Sequence, residues 1–322
     1  MSDADAGRQL EAHTLHFAKE RHAPVARRPL PPHHLARPRH LGSHRLNNAA
    51  QDRLGVKRAH PARLYDYILG GKTNYPADRR GAGAAIEAFP DAIVAARQNR
   101  NFMHRATRWA VQEHGIRQFL DIGTGVPTEP NLHQVAQAHR PDARVVYVDN
   151  DPIVLTHARA LLTGNDAGRT AYVDADVRDP DRILERAAAT LDFGEPVALS
   201  LIALLHFITD ADEPHRLVAH LMDRLPPGST LAVSHGTEDF DPPTMRRLAE
   251  VCRAQGIELA LRIRAETQAF FEHSSPALEL VAPGLVATHE WRPTLARVGV
   301  PQLPGTVGRA EAAVWAGVGV KS

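Results

Sequence analysis

From Arg117 onward, short apolar runs alternate with amphipathic stretches. Gln118-Phe119-Leu120-Asp121-Ile122 has strand character and stops at a glycine-rich turn. Leu132, Val135 and Ala136 recur at helical spacing, so a helix is predicted over 132–139. Ala143–Val148 predicts a second strand. Pro152 opens a helix to about Leu162, where proline's missing N–H costs nothing. Thr170–Val173 is a third strand, and Asp179 caps a helix carrying Ile183, Leu184 and Leu191. Pro196–Ile202 is almost wholly apolar, as a parallel strand covered on both faces should be. A helix from about Glu213 to Leu225, a Pro-Pro-Gly turn, a strand over Ser229–Ser234 and a helix over Pro242–Gln255 follow. Leu259–Ile263, Val286–Glu290 and Ala312–Val318 are further candidate strands.

Strand–helix alternation with short connections predicts an α/β fold: a doubly wound, mostly parallel, seven-stranded sheet. Ahead of it, Leu64, Tyr65, Ile68 and Leu69 share one helical face, and Gly70-Gly71 should end that helix. Lys72, Asn74 and Tyr75 fall in a loop, and Asp78 begins another helix. The chain thus divides into a leader (1–55), a helical extension that could serve as a lid (56–115) and the α/β domain (116–322).

The leader has no periodicity, and prolines at 24, 29, 31, 32 and 38 forbid a continuous helix. The overall charge of +1 hides an asymmetry. Residues 1–60 carry eleven Lys+Arg against five Asp+Glu, a balance of +6, with eight of the nineteen histidines. The remainder carries 27 against 32, a balance of −5. Its arginines and histidines would suit a phosphate-binding arm, and His33-His34 a metal site. Low hydrophobicity with like charge favours a disordered leader instead.

The whole chain is 43% hydrophobic, enough for a core. Its longest apolar run, Val197–Ile208, spans twelve residues broken by Ser200 and His206, well short of the roughly twenty needed to cross a membrane. No secretory signal is visible. Cys252 is the only cysteine, which excludes an intrachain disulfide and a multi-cysteine metal site. No metal is expected, and a cytoplasmic setting fits.

Ligands of doubly wound sheets bind at the carboxyl ends of the strands. After the first strand comes Asp121-Ile122-Gly123-Thr124-Gly125, two glycines that let backbone approach a ligand. Asp149-Asn150 ends the second strand, 28 residues past Asp121, where a carboxylate can accept from two ribose hydroxyls. Asp176-Val177 follows the third strand and suits an exocyclic amine and a purine face. Ala203 and His206 follow the fourth, and His235 closes the fifth. Together they describe an adenosine pocket. The third glycine of a dinucleotide fingerprint is replaced by Thr128, which disfavours NAD, and no P-loop is present. An acid in the first turn suits a cationic, amino-acid-bearing cofactor, S-adenosyl-L-methionine, better than a pyrophosphate.

The chain resembles the actinobacterial S-adenosylmethionine-dependent methyltransferases once classed as a domain of unknown function. The resemblance runs from about residue 60 to the C-terminus. It rests on Ala62–Tyr75, Asn99-Arg100-Asn101-Phe102, Asp121–His133, Val146–Pro152, Leu205-His206-Phe207, Ser234-His235 and Trp291-Arg292-Pro293. It implies a class I methyltransferase (Rossmann-like) fold with an N-terminal helical extension. On this reading Tyr65, Lys72, Asn74 and Arg100 belong to the cofactor site, with Lys72, Asn74 or Arg100 on the methionine carboxylate. His206 and His235 are candidate bases. The acceptor is expected to be a small molecule. The acidic body argues against a nucleic-acid partner. Two alternatives remain open: an NAD-dependent oxidoreductase and a non-catalytic, S-adenosylmethionine-sensing regulator.

Removing residues 1–50 should leave the melting temperature and cofactor affinity unchanged. Calorimetry on the shortened chain checks this, and lost binding would refute the leader reading.

Overall fold

A computed structural model describes residues 55–161, 167–273, 278–294 and 307–322; the leader expectations lie outside them. Helices α1 (Pro61–Ile68), α2 (Pro76–Ala88) and α3 (Ala92–Gln112) come first. Then β1 (Gln118–Ile122), α4 (Leu132–His139), β2 (Arg144–Asp149), α5 (Pro152–Leu161), β3 (Arg169–Asp174), α6 (Pro180–Ala187) and β4 (Val197–Ile202) alternate. After α7 (Pro214–Asp223), β5 (Thr230–Gly236), α8 (Pro242–Ala254) and α9 (Arg264–Glu272), the chain adds β6 (Leu278–Leu280), β7 (Val286–Ala287) and β8 (Val314–Lys321).

The sheet order is β3-β2-β1-β4-β5-β8-β6. The first five strands are parallel, and β8 lies antiparallel between β5 and β6. The seven-strand expectation matches this path, and the short β7, paired to β8, makes an eighth. Strand order reverses between β1 and β4, so the crevice at their carboxyl ends is where a ligand fits.

Alternate residues of the central strands feed opposite faces, the period-two consequence of the pleat. Phe119, Val145 and Tyr147 join Phe102, Trp109, Leu132 and Trp291 on the side of α3 and α4. Leu120, Val146 and Val148 join Ile183, Leu184, Val218 and Leu221 on the side of α6 and α7. Both faces are buried, which explains why β4 is apolar except for Ser200.

Two candidate strands change character. Leu259–Ile263 pairs with no strand; its Ala260 N–H donates to the His206 carbonyl at 2.8 Å, and Leu259 and Leu261 face a cavity. The alternation that imitates a strand therefore records one face turned to a cavity. At Val286–Glu290 only two residues pair, and Thr288–Glu290 coil into a 3₁₀ turn. The first turn of α5 is capped by Asp151, whose Oδ1 accepts from Ile153 N–H at 2.9 Å. No described helix is long and apolar enough to cross a membrane.

One guanidinium joins α1 and α2 to the end of β2. Arg63 of α1 donates from Nε to Asp78 Oδ2 (3.0 Å) and from Nη1 to Asp151 Oδ2 (2.9 Å). Its Nη2 donates to the carbonyls of Gly55 and Arg58. Arg63, Asp78 and Asp151 are 2%, 0% and 2% exposed, so the ion triad is shielded from water. Asp78 also accepts from the backbone N–H groups of His60 and Tyr75. Every oxygen of the two carboxylates has a donor, which offsets the desolvation of buried charge.

Arg63→Met should strand two buried carboxylates and cost about 3–5 kcal/mol of stability. Chemical denaturation measures this directly, and a loss below about 1 kcal/mol would show the triad to be dispensable.

Candidate active site

The carboxyl ends of β1 to β5 and the inner faces of α1, α2, α3 and α8 enclose a cavity of about 430 Å³. Asp121, Gly123, Thr124, Gly125, Asp149, Asn150, Asp176, Val177, Ala203, Arg100, Tyr65 and His206 all line it. Three expected residues do not. Lys72 is exposed. Asn74 uses its amide on Asp66 (2.8 Å) and on the Gly71 carbonyl (3.0 Å), knitting the turn after α1. Neither belongs to the cavity wall, so of the three residues expected at the methionine carboxylate only Arg100 lines the cavity.

His235 is the third. It is fully buried, its Nδ1 donates to the Gly236 carbonyl (2.8 Å) and its Nε2 accepts from Arg262 Nη1 (3.0 Å). Burial and the His206 neighbour hold its pKa well below the usual imidazole range, so it stays neutral. It braces Arg262, whose guanidinium holds the carbonyls of Leu205 and Ile208. His235 is therefore a support for the turn after β4 and not a base on the cavity wall.

The glycine turn is a cradle built by backbone. Gly123 and Gly125 have φ of +75° and +69°, conformations that favour glycine. A Cβ on Gly123 would also stand 2.7 Å from a Leu204 methyl. The cradle is pinned by Asp149, whose Oδ2 accepts from Gly125 N–H (2.8 Å) and whose Oδ1 accepts from Asp151 N–H (2.9 Å). Burial raises the Asp149 pKa. Arg100 anchors the following loop, donating to the carbonyls of Thr128 and Pro130. Next to Asp149, Asn150 donates to Asp176 Oδ2 (2.7 Å), so the ends of β2 and β3 present their polar groups as a pair.

Asn99 and Ser234, to which the sequence assigns no role, join the expected Tyr65 and Ala203 in one hydrogen-bonded chain. Tyr65 Oη donates to the Ala96 carbonyl (2.9 Å) and accepts from Asn99 Nδ2 (3.1 Å). Asn99 Oδ1 accepts from Ser234 Oγ (2.5 Å), which in turn accepts from Ala203 N–H (2.9 Å). This chain ties α1 and α3 to the ends of β4 and β5. It also holds Ala203 at φ +54°, a left-handed conformation that costs an alanine roughly 1–2 kcal/mol. Asn99 and Ser234 did stand in the segments that carried the family resemblance, but nothing local marked them as partners.

Asp121 is strongly perturbed. Burial pushes its pKa up to about 7, against the opposing pull of the Arg100 charge. A half-ionised carboxyl lining a cavity suits a cationic ligand group.

The residues present fit S-adenosylmethionine. Asp121 could take the ammonium, Arg100 the carboxylate, Asp149 the ribose hydroxyls, and Asp176 with Val177 the adenine. Positive-φ glycines where a side chain would fill the cradle satisfy the same test. The family model described as S-adenosyl methyltransferase matches residues 47–322. The chain belongs to the S-adenosyl methyltransferase family. It is an S-adenosylmethionine-dependent methyltransferase of class I fold, which sets aside the nicotinamide alternative.

Two crystal structures resemble this methyltransferase along most of its length. A DUF574 family protein from Streptomyces avermitilis is 44% identical, with a TM-score of 0.78, covering 84% of this chain and 100% of that one. A protein from Thermobifida fusca is 38% identical, with a TM-score of 0.74, covering 84% and 97% respectively. No match was found among curated proteins.

With Asp121 as partner of a ligand ammonium, the carboxylate form binds and the protonated form does not. Affinity for S-adenosylhomocysteine should therefore rise as pH climbs toward 7, by up to about tenfold per unit, and level off above about 8. Calorimetry across pH 5.5–8.5 reads the profile, and Asp121→Asn should flatten it.

Proposed function

We propose that this methyltransferase transfers a methyl group to a small-molecule acceptor by in-line displacement, with the acceptor in the part of the cavity that lies beyond the strand-end carboxylates. The observation that carries this is the cavity's two-part lining. Its cofactor end holds Asp121, Asp149, Asp176 and Arg100, while its other end is built from side chains such as Phe89, Met245 and Leu248. A recessed cavity of about 430 Å³ accommodates a small molecule rather than a folded chain.

S-adenosylmethionine supplies an electrophilic methyl on a positively charged sulfur, a good leaving group. The protein's part is then positioning and exclusion of water, which can lower a barrier by roughly 7–11 kcal/mol. Asp121 and Asp149 orient the donor from two strand ends. Tyr65 and Asn99 close the cavity from the helical side and are themselves fixed by Ser234 and the Ala96 carbonyl. The apolar wall keeps water away from the transferring group.

His206 lines the cavity but is poorly suited to take a proton. Its Nδ1 accepts from Gly236 N–H (3.3 Å), so in the neutral ring the proton sits on Nε2. Burial and the nearby Arg262 charge push its pKa down to about 4. His206 is therefore a donor at neutral pH.

Calorimetry should show one S-adenosylmethionine bound per chain, weakened about tenfold or more by Asp149→Asn. Incubation with acceptor libraries should release S-adenosylhomocysteine. Absence of binding would refute the site. Tight binding without turnover on any library would favour the sensing regulator.

A further inference from the structure

The far half of the cavity combines an apolar wall with a single donor. Ile68, Phe89, Met245, Leu248, Leu259 and Leu261 contribute no polar side chain. Cys252 also lines this half, but burial pushes its thiol up to about 11, so it stays protonated. The lining carboxylates, Asp121, Asp149 and Asp176, sit at the ends of β1, β2 and just past β3, on the cofactor side. Among the described residues, no side chain in the far half serves as a base at neutral pH.

What the far half does offer is positive. His206 presents Nε2–H, because Gly236 N–H occupies Nδ1. Behind it, Arg262 is 4% exposed and holds the carbonyls of Leu205 and Ile208 at 3.0 Å each. Its one carboxylate partner, Asp210 (2.6 Å), stands out in solvent. The Arg262 charge is felt at the His206 ring, where it opposes protonation.

We propose that the acceptor is an apolar carboxylic acid, bound through its carboxylate to His206 Nε2–H and methylated on oxygen to a methyl ester. This rests on the methyl-transfer reading above. An alcohol or phenol must lose a proton, and the far half holds no base to take it. An amine would gain positive charge facing Arg262 and a donor-only imidazole. A carboxylate is ionised already at neutral pH. One carboxylate oxygen forms a bond to the methyl carbon as the carbon–sulfur bond breaks. That electron pair stays on sulfur, which becomes a neutral thioether, and the two opposite charges cancel without any proton transfer. An apolar, low-dielectric chamber favours a step that removes charge.

The test uses the full chain with S-adenosylhomocysteine present, and calorimetry as the first readout. Octanoate and phenylacetate are compared with octanol, 2-phenylethanol, 4-propylphenol and octylamine. The acids should bind about tenfold or more tightly than their neutral and amine counterparts. His206→Leu should remove about tenfold of acid affinity, and His206→Gln, which keeps an N–H donor, should restore most of it. With S-adenosylmethionine, the product should be a base-labile methyl ester. Failure of S-adenosylhomocysteine itself to bind would refute the methyl-transfer reading. If it binds and the acids do not bind, or alcohol, phenol or amine is preferred, the carboxylate assignment is overturned and the methyl-transfer reading stands. Loss of acid binding in His206→Gln equal to that in His206→Leu would also overturn the donor role.

Discussion

The buried Arg63 guanidinium is the constraint on which the site depends. It binds Asp78 of α2 and Asp151 just past β2 together, inside a shell with almost no water. Apolar packing of Leu64, Ile68 and Ala82 against Leu248, Cys252 and Ile257 holds α1 and α2 beside α8, and the triad adds their polar tie to the end of β2. The same Asp151 that receives Arg63 also caps α5, and its N–H reaches Asp149. Asp149 in turn fixes Gly125. A single ion triad thus connects the helical extension to the backbone cradle through three consecutive polar contacts.

The second connection runs from Tyr65 through Asn99 and Ser234 to Ala203. Here no charge is involved, and each donor has a specific acceptor. The arrangement holds Ala203 in a backbone conformation that few alanines adopt, at the end of β4 where the cavity begins. Strain of this kind persists only where neighbours over-determine it, and such places cluster at functional sites. The third support, His235 on Arg262 on the turn after β4, completes the ring of braces around the cavity. His206 is kept neutral first by burial and then by the Arg262 charge that this brace places beside it.

Much of the fold was legible because parallel strands buried on both faces must be apolar throughout, and helices covering them must carry a stripe. The strand-end residues were legible for a related reason: topology requires ligand-bearing turns to follow those runs. Leu259–Ile263 misled because facing a cavity and facing a sheet neighbour leave the same alternation. Lys72 and Asn74 misled because a polar loop beside a glycine pair can serve either a ligand or its own turn, and Asn74 serves the turn. His235 stands directly after apolar strand residues, as a base would, yet its partners lie at Gly236 and Arg262, and its ring is sealed from the cavity.

By itself, the sequence determined the alternation of strands and helices, the glycine turn and the order of acids at successive strand ends. Those features depend on local periodicity and on residues close together in the chain. Tertiary structure alone decided which polar groups meet: Arg63 with Asp151, Ser234 with Asn99 across 135 positions, Arg262 with His235. It also decided the ionisation of Asp121 and His206, because burial and distant charges set a pKa and neither is written in the neighbouring residues.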